Sequence, residues 1–243
     1  MEELARYTTT YGKVNSSILS LSIRASAISL AAAASANATL ADWEDAVNAG
    51  AQPASVLFAT INGTAPMVFN VGELSGPRSF EFIVNAGDGG MSSALMGNQF
   101  ANGGQGLKFE QWQDSGLMGI TNFTVIDLTA ETATPLFAET HVVFTSDNVD
   151  TNLYINGTKV FTFFNYPLLA FGDQGIAAAY NGSVFFDALD GDILGFASYD
   201  LALSDAEVAA HSAAFAAVPE PSTLGIAAVA GMGLLARRRR QRI

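Results

Sequence analysis

Residues 141–160 read HVVFTSDNVDTNLYINGTKV, and this stretch decides the fold. An apolar run, a polar turn, a second apolar run and an Asn-Gly pair follow one another without a helical repeat. The Asn-Gly pair supplies the two positive-φ positions of a type I′ turn, which joins antiparallel strands in a tight hairpin. This register predicts that Leu153 pairs with Val160 and that Tyr154 pairs with Lys159.

Similar short apolar runs recur through the middle of the chain, separated by Gly, Asn and Asp. They include SFEFIVN (79–85), GLKFEQW (106–112), FTVIDLT (123–129) and DILGFASY (192–199). No long helical pattern lies between them, so they predict an all-β fold with two antiparallel sheets rather than a parallel α/β fold. One late helix is expected, because residues 204–207 read Ser-Asp-Ala-Glu, the pattern of a capping box. His211 would share a face of that helix with Val208 and Phe215, which predicts a packed histidine.

The order of these pieces resembles that of laminin-G-like jellyroll domains, members of the concanavalin-A-like lectin/glucanase class. Residues 141–160 resemble the family's hairpin segment, and residues 189–204 resemble its closing strand and the start of its short helix. The positions that match in the closing segment are Gly191, Ile193, Tyr199, Ala202, Leu203 and Ser204. The family often carries two aspartates where this chain has Leu194 and Gly195, which weakens a ligand role there. The resemblance implies a jellyroll sandwich over residues 39–217, with one short helix at its C-terminal end.

The first 38 residues predict a signal peptide. Arg24 precedes apolar and small residues from Ala25 to Ala34, and Ala36-Asn37-Ala38 supplies the small side chains that signal peptidase accepts. We expect cleavage after Ala38 and export of the remainder. The alternative is a buried amphipathic helix, which the lack of a 3.6-residue alternation of apolar and charged faces disfavours.

The other end of the chain predicts a second helical targeting segment. Residues 224–236 are apolar, but as a helix they would span only roughly 20 Å, against roughly 30 Å of bilayer hydrocarbon. Arg237, Arg238, Arg239 and Arg240 follow at once and would stay on the cytoplasmic side. A span this short suits temporary membrane engagement better than permanent anchoring.

Residues 218–243 as a whole resemble the PEP-CTERM sorting signal of Gram-negative bacteria. Pro219, Glu220 and Pro221, the short transmembrane segment 224–236 and the arginine block occur in the order that this signal requires. The resemblance implies recognition by an exosortase in the inner membrane and cleavage near the Pro-Glu-Pro. It also implies a final location at the cell surface or in the exopolysaccharide matrix.

The charge between residues 39 and 218 excludes one class of partner. This region has three basic and twenty acidic residues, a formal charge of −17. Such a surface repels phosphate backbones, so nucleic acid is not expected to bind. The chain also has no cysteine, which excludes disulfides, thiolate catalysis and cysteine-ligated metals.

The pattern of polar residues disfavours an enzyme. Retaining glycosidases need two carboxylates about 5 Å apart. Glucanases of the resembled class commonly carry them in a Glu-x-Asp strand, which this sequence lacks. A hydrolase would need another pair, such as Glu81 and Glu110 from different strands. His141 and His211 have neither a Gly-x-Ser-x-Gly partner nor a regular zinc spacing.

Two kinds of ligand site are expected. Asp187, Asp190 and Asp192 form the densest acidic cluster and are the candidate calcium ligands, with a solvated turn as the alternative. Trp112 is the first candidate for a glycan contact and Tyr154 the second, with core packing as the alternative for each.

The sequence therefore predicts an exported, non-enzymatic jellyroll protein of the cell surface or extracellular matrix. Its expected role is structural or glycan-binding. A carbohydrate-active hydrolase of the same fold and a protein-binding adhesin are the alternatives.

Overall fold

The computed structural model describes residues 39–50, 55–57, 60–72, 76–88, 90–99, 104–113, 115–169 and 172–216. The predicted signal peptide and the predicted sorting signal lie outside these residues, with Pro219, Glu220, Pro221 and Arg237 to Arg240. The apolar segment 224–236 also lies outside them. Within the described ranges no helix is long and apolar enough to cross a membrane. One compact unit spans Leu40–Ala216.

Two helices and fifteen strands are present in the described part of the chain. The helices are α1 (Thr39–Ala49) and α2 (Asp205–Ala216). The strands of the first half are β1 (Ser55–Leu57), β2 (Ile61–Asn62), β3 (Met67–Asn70), β4 (Arg78–Ala86), β5 (Ser93–Asn98), β6 (Gln105–Glu110), β7 (Leu117–Asn122) and β8 (Ile126–Ala133). Those of the second half are β9 (Thr140–Ser146), β10 (Thr151–Ile155), β11 (Thr158–Phe163), β12 (Asp173–Ile176), β13 (Ala179–Tyr180), β14 (Phe185–Phe186) and β15 (Gly191–Tyr199).

The strands form two sheets, which confirms the predicted sandwich. Sheet A has the order β1-β15-β4-β9-β10-β11, with β2 also paired to β15. Sheet B has the order β14-β13-β5-β6-β7-β8, with β12 joining β3 to β5. Neighbouring strands are antiparallel except β13 and β5, which run parallel. Strands that are distant in sequence, such as β15 and β4, lie side by side, as in a jellyroll.

The core lies between the two sheets. On β4, Phe80 and Phe82 alternate into it, and on β6 Phe109 does so from the other sheet. Phe196 of β15 lies near the middle, with its ring centroid 5.2 Å from that of Phe82 and 5.6 Å from that of Phe69. Each such side chain contributes about 1.5–3 kcal/mol through burial, so this aromatic group is a main source of stability.

The β10–β11 hairpin follows the predicted turn but not the whole predicted register. Asn156 and Gly157 have φ angles of 48° and 76°, as a type I′ turn requires. Tyr154 pairs with Lys159, which confirms one expected pair. The other is wrong, because Leu153 pairs with Phe161 and leaves Val160 as the extra residue of a bulge.

The predicted helix α2 begins with the expected capping box. The Ser204 hydroxyl accepts a hydrogen bond from the Glu207 amide at 3.3 Å, and the Glu207 carboxylate accepts one from the Ser204 amide at 2.8 Å. Val208, His211 and Phe215 are buried on one face of the helix, as the sequence predicted.

Helix α1 is a second helix, which the sequence analysis did not predict. Trp43 and Val47 on this helix are buried in a second apolar cluster on the outer face of sheet A, together with residues of α2. Gly195 of β15 allows this packing, because a β carbon there would lie 2.5 Å from the Trp43 ring. Gly195 therefore makes room for the helix.

Candidate functional site

A buried carboxylate lies at the centre of the outer face of sheet A. Because Phe80 and Phe82 of β4 point into the sandwich, Glu81 between them points outward, toward the two helices. Its side chain is fully buried there. A charge in this position requires hydrogen-bonding partners.

Glu81 accepts hydrogen bonds from four side chains on four separate elements. Its Oε1 accepts from Trp43 Nε1 of α1 and from His141 Nε2 of β9, both at 2.6 Å. Its Oε2 accepts from the Tyr199 hydroxyl of β15 at 2.5 Å and from His211 Nδ1 of α2 at 3.1 Å. An ionised carboxylate can only accept, so these two imidazole nitrogens carry the protons.

These contacts set the protonation state of the centre. Burial alone would raise the pKa of Glu81, but the hydrogen bonds and charges of His141 and His211 outweigh it, so the pKa lies well below its ordinary value of 4.5. Burial, followed by the negative charge of Glu81, raises the pKa of the Tyr199 hydroxyl. The carboxylate is therefore ionised, and both of its oxygens already accept hydrogen bonds. This arrangement suits a structural role, in which the carboxylate holds the helices to the sheet, better than a catalytic one. We call it the Glu81 centre.

The carboxylates that a hydrolase would need do not meet. Glu81 points away from the core on the outer side of sheet A. Leu107 and Phe109 of β6 point into the core, so Glu110 points away from it on the outer side of sheet B. Glu110 Oε1 accepts a hydrogen bond from the Gly116 amide at 2.9 Å. The sandwich thus separates the two acids that the sequence left as a possible pair.

The three predicted calcium ligands do not converge. Asp187 forms an ion pair with Lys108, and Asp192 accepts a hydrogen bond from Asn62 Nδ2 at 2.7 Å. Asp190 is exposed in the loop before β15. In the part of the chain that the structure describes, no group of three or more acidic or histidine side chains is arranged to hold a metal ion.

Tyr154 is buried, so its ring is not accessible to a glycan. Its side chain lies on the outer face of sheet A, beneath α2, and its hydroxyl donates to Asp205 Oδ1 at 2.6 Å. Burial and this carboxylate raise the pKa of Tyr154 to about 12. The hydrogen bond of Tyr154 thus connects β10 to the first residue of α2. This corrects the expectation that Tyr154 contacts a glycan.

Trp112, the other predicted contact, is half exposed. Strand β6 ends at Glu110, two residues earlier than the sequence pattern suggested, and Trp112 lies in the following turn with 51% of its surface exposed. The next residue, Gln113, has a φ of 70°. A second exposed aromatic, Phe137, was not predicted; it is 78% exposed and has a φ of 61°.

The loops that carry these two aromatics meet at one end of the sandwich. The Thr134 amide donates to the Gly116 carbonyl at 2.9 Å, and the Phe137 amide donates to the Ala86 carbonyl at 2.7 Å. The Gly87 amide donates to the Asp190 carbonyl at 2.7 Å. We call the connected loops the loop rim, which comprises residues 87–88, 90–92, 111–113, 115–116, 134–139 and 187–190.

The loop rim combines apolar and acidic side chains. Met91, Asp88, Glu139 and Asp190 are exposed there, besides the two aromatics. Gly87 lies against both kinds of group, because a β carbon on it would be 3.0 Å from Asp190 Oδ2 and 3.1 Å from the Phe137 ring. Sequence spacing could not reveal this grouping, since four separate loops build it.

The family comparison agrees with this architecture. The model of the concanavalin A-like lectin/glucanases superfamily matches residues 69–209, more than half of the chain. The chain belongs to this superfamily. The model of the PEP-CTERM protein-sorting motif matches residues 217–240, as the Pro-Glu-Pro, apolar run and arginines predicted. No curated protein sequence matches the chain.

Several solved structures are similar to this superfamily member. Domain 4 of AbnA, a GH43 extracellular arabinanase from Geobacillus stearothermophilus, has a TM-score of 0.51 and 18% identity; the match covers 63% of this chain and 75% of that one. The Ruminococcus gnavus IT-sialidase CBM40 has a TM-score of 0.50 and 14% identity, with 66% and 99% covered. The NanB sialidase from Streptococcus pneumoniae has a TM-score of 0.49 and 18% identity; 65% of this chain matches only 28% of that one.

Replacing Glu81 with Gln is expected to lower the free energy of unfolding at neutral pH by about 3–5 kcal/mol, because an amide group would face N–H and O–H donors. Urea unfolding measures the change. Glu139→Gln, at an exposed carboxylate of the loop rim, is the control and should have little effect.

The stability of Glu81→Gln should depend on pH differently from that of the wild type. The pKa of Glu81 is lower in the folded state than in the unfolded state. The contribution of Glu81 to the free energy of unfolding is therefore present above the ordinary carboxyl pKa of 4.5. It is lost as the pH falls toward the pKa of Glu81 in the folded state. The wild type should lose stability more steeply than Glu81→Gln between about pH 5 and about pH 3. Equal slopes would contradict an ionised, hydrogen-bonded Glu81.

Proposed function

We propose that this protein is an exported, non-catalytic component of the cell surface or extracellular matrix that contacts glycans through its loop rim. The observation that carries the proposal is the pair of exposed aromatics, Trp112 and Phe137, on adjoining loops at one end of the sandwich. Sugar rings present apolar C–H faces that stack on such side chains, while carboxylates accept hydrogen bonds from sugar hydroxyls.

The backbone at these aromatics supports a binding role. Left-handed φ angles are unusual for a bulky residue such as Phe137, and strain of this kind costs about 1–3 kcal/mol. Packing of an exposed side chain does not offset that cost, because Phe137 contacts mostly solvent. Instead, the hydrogen bond from its amide to Ala86 fixes the loop. A fixed, exposed ring loses little conformational entropy when a ligand binds.

The negative charge of the domain restricts the glycans that it is expected to bind. The exposed acids of the loop rim and the formal charge of −17 between residues 39 and 218 repel anionic polysaccharides. Neutral glycans and glycans with free amino groups suit this surface. A domain of the same fold supports a neutral ligand, since domain 4 of AbnA was solved with arabinotriose. The CBM40 was solved with α2,3-sialyllactose, an anionic glycan, so it supports glycan binding but not the charge of the ligand.

The sorting motif accounts for the delivery of the domain. We infer that signal peptidase removes residues 1–38 and that an exosortase in the inner membrane cleaves near Pro219, Glu220 and Pro221. Arg237 to Arg240 would hold the tail on the cytoplasmic side while residues 224–236 engage the membrane. The match of the motif to residues 217–240 supports this route in a Gram-negative bacterium.

Removing either aromatic should weaken glycan binding without unfolding the domain. Trp112→Ala and Phe137→Ala are each expected to raise the dissociation constant for a neutral glycan at least about tenfold, or about 1.4 kcal/mol. A glycan array identifies the ligand and calorimetry measures the affinity. The melting temperature should change little, because Phe137 is largely exposed and Trp112 is half exposed.

Phe164→Ala is the control, matched to Phe137, since Phe164 is about as exposed as Phe137 but follows β11 rather than lying in the loop rim. Equal losses in all three variants would contradict a specific rim site. If no glycan on the array binds and the purified protein aggregates cells, the alternative of a protein-binding adhesin is favoured. Parallel titrations with calcium and with a chelator test the expected calcium dependence, which this proposal does not require.

The sorting route predicts the mass of the exported protein. Protein recovered from the host surface should lack Arg237 to Arg240, because cleavage near the Pro-Glu-Pro removes the tail. Replacing Pro219, Glu220 and Pro221 with Ala should leave the tail in place and the protein in the membrane fraction. Intact-mass spectrometry distinguishes the two forms, and a mature wild-type chain that keeps the arginines would refute the sorting route.

A further inference from the structure

An ammonium group is buried on the outer face of sheet B. Lys108 of β6 is only 2% exposed, and its Nζ contacts Asp187 Oδ2 of the segment before β15. The same Nζ donates a hydrogen bond to Ser92 Oγ at 2.7 Å. It also lies 5.4 Å from the centroid of the Phe123 ring. The Phe186 ring packs edge-on against Phe123 at 5.2 Å.

This arrangement differs from an ordinary surface ion pair. Only 21% of the Asp187 side chain is exposed, so most of the pair is withdrawn from water. Desolvation of two charges offsets much of their attraction. Burial lowers the pKa of Lys108, although Asp187 and then Asp127 oppose the shift. The site therefore favours a neutral amine more than water does.

We propose that Lys108 and Asp187 condense into an intramolecular amide bond. A proton first passes from the ammonium to the carboxylate, which gives an amine and a carboxylic acid. The bond between Lys108 Nζ and Asp187 Cγ then forms, and one Cγ–O bond breaks. One hydrogen stays on the amide nitrogen, and the other two ammonium protons leave with the oxygen as water. The step needs no oxidant or other reactant.

The surroundings supply the conditions for this reaction. The Ser92 hydroxyl holds Nζ in place beside the carboxyl group. The two aromatic rings limit the access of water, which would otherwise favour the separated ions. The product is neutral, so condensation removes the desolvation cost of a buried ion pair.

The bond would join segments that are distant in sequence. Lys108 and Asp187 are 79 residues apart; Lys108 lies on β6, and Asp187 directly follows β14 of the same sheet. A cross-link over a loop of this length restricts the unfolded chain strongly. The chain has no cysteine, so a disulfide cannot provide this restraint. The amide is inferred from observations other than the proposed glycan binding, although Ser92 and Asp187 belong to the loop rim.

The chain contains its own control pair. Lys159 Nζ lies 3.5 Å from Asp205 Oδ2, but these side chains are 42% and 72% exposed. Water solvates both charges there, so no condensation is expected. The two pairs differ in burial and not in residue types.

Trypsin digestion of the denatured full-length chain, followed by tandem mass spectrometry, tests the proposal. Arg78, Lys108 and Lys159 are the basic residues between 39 and 218. Amide formation blocks cleavage after Lys108. Residues 79–159 should then appear joined to the peptide that begins at Val160 and contains Asp187. The joined mass should be about 18 Da below the sum of the two peptides, the mass of one water.

Three variants sharpen the result. Lys108→Arg should restore separate peptides at full mass, whereas Lys159→Arg should leave the 108–187 link intact. Asp187→Asn should still join to Lys108 but release ammonia, a loss of about 17 Da. Folded wild-type chain that yields unlinked peptides, with cleavage after Lys108, overturns the proposal. That result depends on no variant, so a poorly folded Lys108→Arg protein does not affect it.

Discussion

The negative charge of Glu81 is the constraint on which the covered side of this sandwich depends. An ionised carboxylate without partners could not remain in this dry position, because the cost of desolvation is several kcal/mol. Its four donors come from α1, β9, β15 and α2, so displacement of either helix would remove a hydrogen bond from the buried charge and expose it. The apolar cluster around it supplies the packing energy, and the carboxylate supplies the directional restraint.

This constraint also bears on the proposed binding site, because it keeps the outer face of sheet A covered. With α1 and α2 on the outer face of sheet A, Tyr154 and both histidines serve packing and hydrogen bonding there. Trp112 and Phe137 remain exposed at the loop rim, where backbone hydrogen bonds hold the loops. The chain thus separates a rigid, covered sheet from a surface of aromatics and acids, as expected for a binding module on a stable scaffold.

Local patterns predicted the local structure well. The Asn-Gly turn, the capping box and the closing strand before α2 depend on neighbours in sequence, and the structure confirms them. The Leu153–Val160 pair failed because a bulge at Val160 shifts the register, which sequence alternation alone does not show. Helix α1 did leave a signal in Leu40, Trp43 and Val47, which lie on one helical face. This segment directly follows the predicted leader.

The candidate site was less predictable, because long-range pairing builds it. Strand alternation placed Tyr154 on an outer face, but only the docking of α2 shows that this face is covered. The spacing of Asp187, Asp190 and Asp192 suggested a metal site, yet Lys108 engages the first and Asn62 the third. Phe137 gave no periodic signal, since it belongs to an irregular loop. Its exposure and its place beside Gly87 are visible only in the folded structure.

The two tryptophans of the chain allow a direct test of glycan contact at the loop rim. Trp43 is buried with its indole N–H bound to Glu81, whereas Trp112 is half exposed. Their indole N–H signals in NMR spectra of the folded protein therefore report on the covered sheet and on the loop rim separately. Titration with neutral exopolysaccharide from the host should shift the Trp112 signal in proportion to occupancy and leave the Trp43 signal in place. Saturable binding that leaves Trp112 unchanged, or that shifts Trp43 instead, would contradict the account.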